Sequence, residues 1–288
     1  MIQIMRNLLS RIRLYANLLR FLVLIAGCVL GFHRSVWMKQ RLLSLFTQFV
    51  GSLKDGQSFL KTTDDSKDIY QRYDDKEIRD YYGSSSIMLM NQEPTMMSFQ
   101  QERMIHLNYV FREIDAILLR KDKARILEIG CGNCINIFEI IRKYGDHVEV
   151  HGLDISDNRI KVAQNYFKSG LDDAHLSVAS ITERTSFPDN QFDLVYSMFC
   201  LEQIAYDAKA ALREMYRICG WRMIMLEPVF ENGTVMQKLY LIVSDHTRIL
   251  LKSISELRLP LIRNEIMDLQ CNPSNQSTVL VVEKSVDS

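Results

Sequence analysis

Residues 126–134 read ILEIGCGNC: an apolar run carrying one carboxylate, Glu128, and then glycines at 130 and 132. A glycine turn between a strand and a helix lets a ligand approach the backbone closely, and the helix start leaves N–H groups free to meet it. A pyrophosphate-binding turn needs G-x-G-x-x-G. Here Ile135 stands where the third glycine belongs. No G-x-x-x-x-G-K-[ST] sequence occurs either, so the phosphate-cradling loop of nucleotide hydrolases is absent. A second carboxylate, Asp154, ends the run VEVHGLD, in the position from which such a group accepts both hydroxyls of a ribose. Glu128 would repel phosphate but suits an ammonium.

The ligand implied is a nucleoside without phosphates and with a cationic amino-acid end, and S-adenosylmethionine fits that description. Cys131-Gly132-Asn133-Cys134 also has the spacing of a redox or zinc pair. With no second Cys pair or nearby His in sequence, it reads mainly as turn filler, and no metal is expected.

These residues need elements to hold them. From Arg125 onward, short apolar runs (125–130, 148–154, 176–179, 192–197, 223–227) alternate with amphipathic segments of helical length at 133–144, 156–168 and 205–218. Such alternation means βαβ units and a parallel sheet covered on both faces. The last two runs, around 262–269 and 278–283, are joined by QCNPSNQS, too short for a parallel crossover, so this pair should be antiparallel. The expected fold is α/β: a doubly wound, mostly parallel, seven-stranded, Rossmann-like sheet with a C-terminal antiparallel hairpin and an N-terminal helical extension. The expected organisation is an arm (1–54), a polar linker (55–67), a helical cap (68–123) and a ligand-binding domain (124–288).

The segments ILEIGCGNC (126–134), HGLDIS (151–156), SFPDNQFDLVYSMFCLEQI (186–204), RICGWRMIMLEP (217–228) and NPSNQSTVLVVEK (272–284) together resemble the small-molecule branch of the class I S-adenosylmethionine-dependent methyltransferases. Order and spacing match across some 160 residues. The resemblance implies S-adenosylmethionine as cofactor, with Glu128, Gly130, Cys131 and Gly132 at its methionine end. It also implies Asp154 and Ile155 at the ribose, Ser180 and Ile181 beside adenine, and Ser197, Met198 and Phe199 near the sulfonium. Tyr82 is a candidate cover, beside Tyr81. Glu202, Tyr240 and His246 are candidate acceptor-side or basic groups, with Glu227 also facing the acceptor. By position, 70–123 and 229–255 should form the lid and acceptor pocket. Two residues depart from the family pattern: Cys134 replaces its third turn glycine, and Ile181 replaces the acid that takes the adenine amine. A non-catalytic, membrane-tethered binding or scaffold subunit is therefore the alternative.

The charge total hides a division. The 35 basic and 35 acidic residues cancel, but residues 1–54 contain eight of the bases and no acid, leaving 27 basic against 35 acidic residues in the body. Met1, Met5, Leu8, Ile12, Tyr15, Leu19 and Leu22 recur at helical spacing, and Phe21–Phe32 is free of charge. At twelve residues that run is short of the roughly 20 a spanning helix wants, and it suits an interfacial helix on anionic lipid. A helix docked on the body, a mitochondrial transit segment and a lipoprotein-like box at Cys28 are the alternatives. The acidic body without a basic aromatic groove argues against nucleic acid. A small apolar or lipid-like methyl acceptor, met on the cytoplasmic side of a membrane, is the expectation; a mitochondrial location is its alternative. Six scattered cysteines form no disulfide framework.

Overall fold

The computed structural model describes residue 78 and residues 82–284, apart from 92, 205–206, 235–236, 239–240, 242–245 and 273–274. These all belong to one compact unit, Tyr70–Ser288. The arm and linker expected over 1–67 lie outside the described residues.

Two strands open the described chain, β1 (Ser85–Met90) and β2 (Glu93–Ser98), followed by helix α1 (Phe99–Leu118). Alternating elements then run β3 (Ala124–Ile129), α2 (Ile135–Tyr144), β4 (Val148–Asp154), α3 (Asp157–Phe167), β5 (Ala174–Val178) and β6 (Phe192–Met198). The chain continues through α4 (Ala208–Ile218), β7 (Cys219–Pro228), α5 (Leu250–Glu256), β8 (Leu261–Asn272) and β9 (Asn275–Glu283).

The strands form one mixed sheet of order β2-β1-β8-β9-β7-β6-β3-β4-β5. Neighbours among β5, β4, β3, β6 and β7 are parallel, whereas β7–β9, β9–β8, β8–β1 and β1–β2 are antiparallel. The expected doubly wound sheet and closing hairpin are present, but the count of seven is corrected to nine among the described residues. The extra two come from the segment expected to be a helical cap. In SSIMLM and EPTMMS the strands are written in Met and Ser without clean alternation. Their pairing with β8, some 180 residues downstream, decides their state.

The helical part of that segment is as the periodicity implies. α1 buries Leu107, Val110, Phe111, Ile114 and Ile117 at three- and four-residue steps. Ser98 and Gln101 close a reciprocal capping box at its start. α1, α2 and α3 cover one face of the sheet through a core that includes Ile137, Ile160, Val150 and Tyr196. α4 and α5 cover the other face through Leu212, Met215, Leu250 and Ile254 against Leu127, Val195 and Met223. Both faces of the central strands are thereby dry, which is why those strands read as near-continuous apolar runs. No helix among the described residues is long and apolar enough to cross a membrane.

Candidate active site

β3 leads to β4 on one side and neighbours β6 on the other, so the sheet has its topological switch point at the carboxyl ends of β3 and β6. A cavity of about 360 Å³ opens there. Its floor is the turn Gly130–Asn133, and its walls come from α1 (Phe99, Glu102, Arg103), α2 (Ile135, Asn136), Arg159 of α3, and Met198, Phe199 and Gln203 after β6.

Backbone sterics explain the glycines. Gly130 has φ +71°, and a Cβ there would stand 2.3 Å from Cys200 Sγ. Gly132 has φ +50°, and its Cβ would meet the Arg159 guanidinium at 2.8 Å. Cys134, at the position of the family's third glycine, takes φ +56° with its side chain fully buried. Its left-handed conformation costs about 1–2 kcal/mol relative to glycine. The turn thus uses left-handed backbone at 130, 132 and 134, with glycine at only the first two.

Carboxylates brace this path. Asp154 accepts from the backbone N–H of Gly132 through Oδ2 and from that of Ser156 through Oδ1, both at 2.8 Å. It is buried and fixes the turn at the end of β4, with lone pairs left over for hydroxyls. Glu128 is buried beneath the turn and accepts from Asn136 Nδ2 at 2.5 Å. Its other oxygen, Oε2, is buried without a donor in hydrogen-bond geometry. Burial pushes the Glu128 carboxyl up to about 7, against the pull of Asn136, Tyr196 and Arg103. Glu227, fully buried at the end of β7, accepts from Ser197 Oγ and from the backbone N–H groups of Cys200, Leu201 and Glu202. It thereby shapes the loop that places Met198 and Phe199 on the cavity wall.

These features fit S-adenosylmethionine. The glycine cradle leaves room at the backbone, Glu128 brings a carboxylate to the cavity for an ammonium, and Arg103 and Arg159 bring guanidinium groups to the same cavity as partners for a carboxylate. A zwitterionic amino-acid end needs both kinds of group.

Of the residues expected at the site, Glu128, Gly130, Cys131, Gly132, Met198 and Phe199 line this cavity. Asp154 and Ser197 act one step behind it, through Gly132 and Glu227. Ser180 and Thr182 bond each other at 2.8 Å in the turn after β5, while Ile181 points into the core beneath α4. Ile155 is exposed at the end of β4. Tyr82 lies beside Glu139 of α2; burial and then this carboxylate raise its hydroxyl to about 12, and it is not on the cavity wall. Tyr81 and Tyr240 lie outside the described residues. Glu202 and His246 face each other at 3.9 Å but do not line the cavity. In the expected lid, α5 packs on α4, with Lys209 and Glu256 paired at 2.6 Å.

Sequence reasoning placed the segment 70–123 at the pocket but did not single out the residues of α1 that reach it. Glu102 and Glu128 are the only acids on the cavity wall among the described residues. His106, fully buried, stands 3.1 Å from Glu102 Oε1, 3.3 Å from Ser277 Oγ and edge-on to Phe199. Asn136 had a readable signal, a lone amide on the apolar face of CINIFEII. Arg103 and Glu102 had none, because only the docking of α1 turns them inward.

Comparison with known proteins agrees with this geometry. Residues 126–220 match a family described as a methyltransferase domain. The chain is 34% identical over 113 residues to aklanonic acid methyltransferase DauC of Streptomyces sp. (strain C5), covering 38% of this chain and 50% of that protein. It is 32% identical over 128 residues to the ubiquinone/menaquinone biosynthesis C-methyltransferase UbiE of Vibrio cholerae, covering 42% and 48%. The chain thus spans about half the length of the curated relatives it matches. In fold it resembles magnesium protoporphyrin IX methyltransferase (ChlM) from Synechocystis PCC 6803 with bound SAH, at 15% identity and TM-score 0.54, over 76% of this chain and 98% of that one. With its glycine cradle and buried acids, the segment 126–220 matches a methyltransferase domain, and the sheet around it has a methyltransferase fold.

Proposed function

We propose that the chain is an enzyme that transfers the methyl group of S-adenosylmethionine to a small apolar acceptor at a membrane surface. The observation that carries the transfer reading is the cavity at the switch point, floored by Gly130 and Gly132 with Glu128 beneath. When bound, the cofactor supplies a methyl on a cationic sulfur that already carries the driving force. The chain's task is to align the acceptor and exclude water. Met198 and Phe199 offer a low-polarity wall for this. Glu102, backed by His106, is the acid placed to hold an acceptor proton where the acceptor carries one. We favour this pair over Glu202 and His246 because it reaches the cavity and they do not line it.

Support for the acceptor class is indirect. Relatives such as UbiE are named for ubiquinone/menaquinone biosynthesis and DauC for aklanonic acid, so a quinone-like or other apolar small molecule is the reading we favour. Membrane proximity rests on the acid-free, basic, amphipathic stretch 1–54, with the cytoplasmic face as the favoured location and mitochondria as the alternative. Calorimetric titration with S-adenosylmethionine tests the core of the proposal, and absence of binding at millimolar cofactor would refute it. Binding without methyl transfer to any of a panel of quinones and aromatic acids would favour the tethered, non-catalytic reading instead, which Cys134 and Ile181 motivate. Flotation on anionic liposomes with and without residues 1–54 tests the arm; equal flotation excludes it as the anchor.

A further inference from the structure

A cluster of metal-ligating side chains lies outside the cavity, on the opposite face of the sheet from Val148, Val150 and α2. Glu149 and His151 alternate along β4 and so share a face, and His175 on β5 is the register partner of His151. The two imidazoles stand 4.6 Å apart, and His151 Nε2 is 3.0 Å from Glu149 Oε1. One donor atom from each residue can be chosen so that all three lie within 4.8 Å of one another. Phe187 and Phe192 pack edge-on against the His151 ring and set its orientation. Nothing in the methyl-transfer reading uses these residues.

We propose that Glu149, His151 and His175 form a binding site for a divalent transition metal of the Zn²⁺ class, clasping the edge strand β5 to β4. Two imidazoles and one carboxylate are a recurrent zinc donor set, with a fourth position left to water. With metal–donor bonds of about 2.0–2.1 Å, donors in a tetrahedral site stand about 3.3–3.4 Å apart, so closing the widest pair takes up to about 1.5 Å of movement. His175 is exposed and has room to make it. His151 already presents Nε2 to the Glu149 carboxylate, so both donors face one point. Arg125 Nε, 3.5 Å from Glu149 Oε2, is the cation the metal must compete with. The metal would replace the hydrogen bond between His151 and Glu149, whose proton moves to Nδ1. β4 ends at Asp154, which braces Gly132, and β5 runs into Ser180–Thr182, so the clasp joins those two strands roughly 10 Å from Asp154 along the strand.

The test is titration of the chelator-stripped full chain with Zn²⁺ by calorimetry and with Co²⁺ by visible absorption. The expected result is one site with a tetrahedral Co²⁺ spectrum lacking thiolate charge transfer, and a melting temperature that rises with Zn²⁺. His175→Ala and Glu149→Gln should each weaken binding at least about tenfold, since even outer-shell partners of a metal cost ~10–100-fold. Both positions are solvent-accessible, so metal-free melting temperatures of the variants should match the parent. Absence of binding, unchanged affinity in both variants, or a thiolate band tracing the metal to Cys131 and Cys134 would overturn the proposal.

Discussion

The parallel and antiparallel halves of the sheet divide the labour. In β5-β4-β3-β6-β7 every strand points its carboxyl end the same way, so Glu128, Asp154, Ser197 and Glu227 converge on one rim from strands far apart in sequence. In β9-β8-β1-β2 the strands alternate in direction, and such a convergence is impossible. That half contributes a platform: Met88, Met97 and Leu269 form a small apolar cluster with Ile105 of α1, and β2 delivers α1 to the cavity through the Ser98 cap. Direction of strands thus determines where chemistry can collect, and the other half is free to be a clamp.

Four substitutions probe this division. Gly130→Ala should be the most damaging, at least about 3 kcal/mol, because it combines overpacking against Cys200 with a left-handed backbone. Denaturant unfolding measures it, and a loss under about 1 kcal/mol would mean the turn is more plastic than its contacts suggest. Met88→Ala should cost about 2–3 kcal/mol, near the low end for such truncations because its cluster is small. Its cofactor dissociation constant should nevertheless stay within about twofold; a large loss of affinity would show that the antiparallel half shapes the site directly.

Glu128→Gln should do the reverse, weakening cofactor binding by about 1.5–3 kcal/mol through loss of a charge-assisted hydrogen bond. The pH dependence has a definite sign. The folded carboxyl sits at about 7 against an ordinary 4.5, so the folded chain holds the proton more tightly than the unfolded one. Its contribution to stability is largest below about 4.5 and is lost as pH rises through about 7. A cationic ligand prefers the ionised form, so cofactor affinity should rise through pH 7 in the parent and stay flat in Glu128→Gln. Parallel pH profiles in the two proteins would assign the titration elsewhere. Ile87→Lys, on the exposed face of the hairpin, should change stability by no more than about 0.5 kcal/mol in a thermal melt.

Legibility followed the same division. β4 runs over 148–154 as the apolar run indicates, and β3, β6 and β7 differ from their runs mainly at the ends. Strands buried on both faces and separated by amphipathic helices announce themselves locally. β1 and β2 do not: neighbouring positions such as Ile87 and Met88, one exposed and the other buried, are equally apolar in sequence. The candidate site divides likewise. Glu128, Gly130 and Gly132 sit within five consecutive residues at the end of β3 and its turn, so spacing alone finds them. His175 and His151 are 24 residues apart and meet only through register.

What the sequence determined by itself was the glycine turn, the two carboxylates that choose an unphosphorylated, cationic ligand, and the alternation that builds a parallel sheet, because each depends on residues close together in the chain. Only tertiary structure decided that α1 brings Glu102 and Arg103 to the cavity and that Asp154 braces Gly132. It likewise decided that a Met-rich stretch becomes two more strands. Each of these depends on a neighbour that is distant in sequence and near only once the sheet has formed.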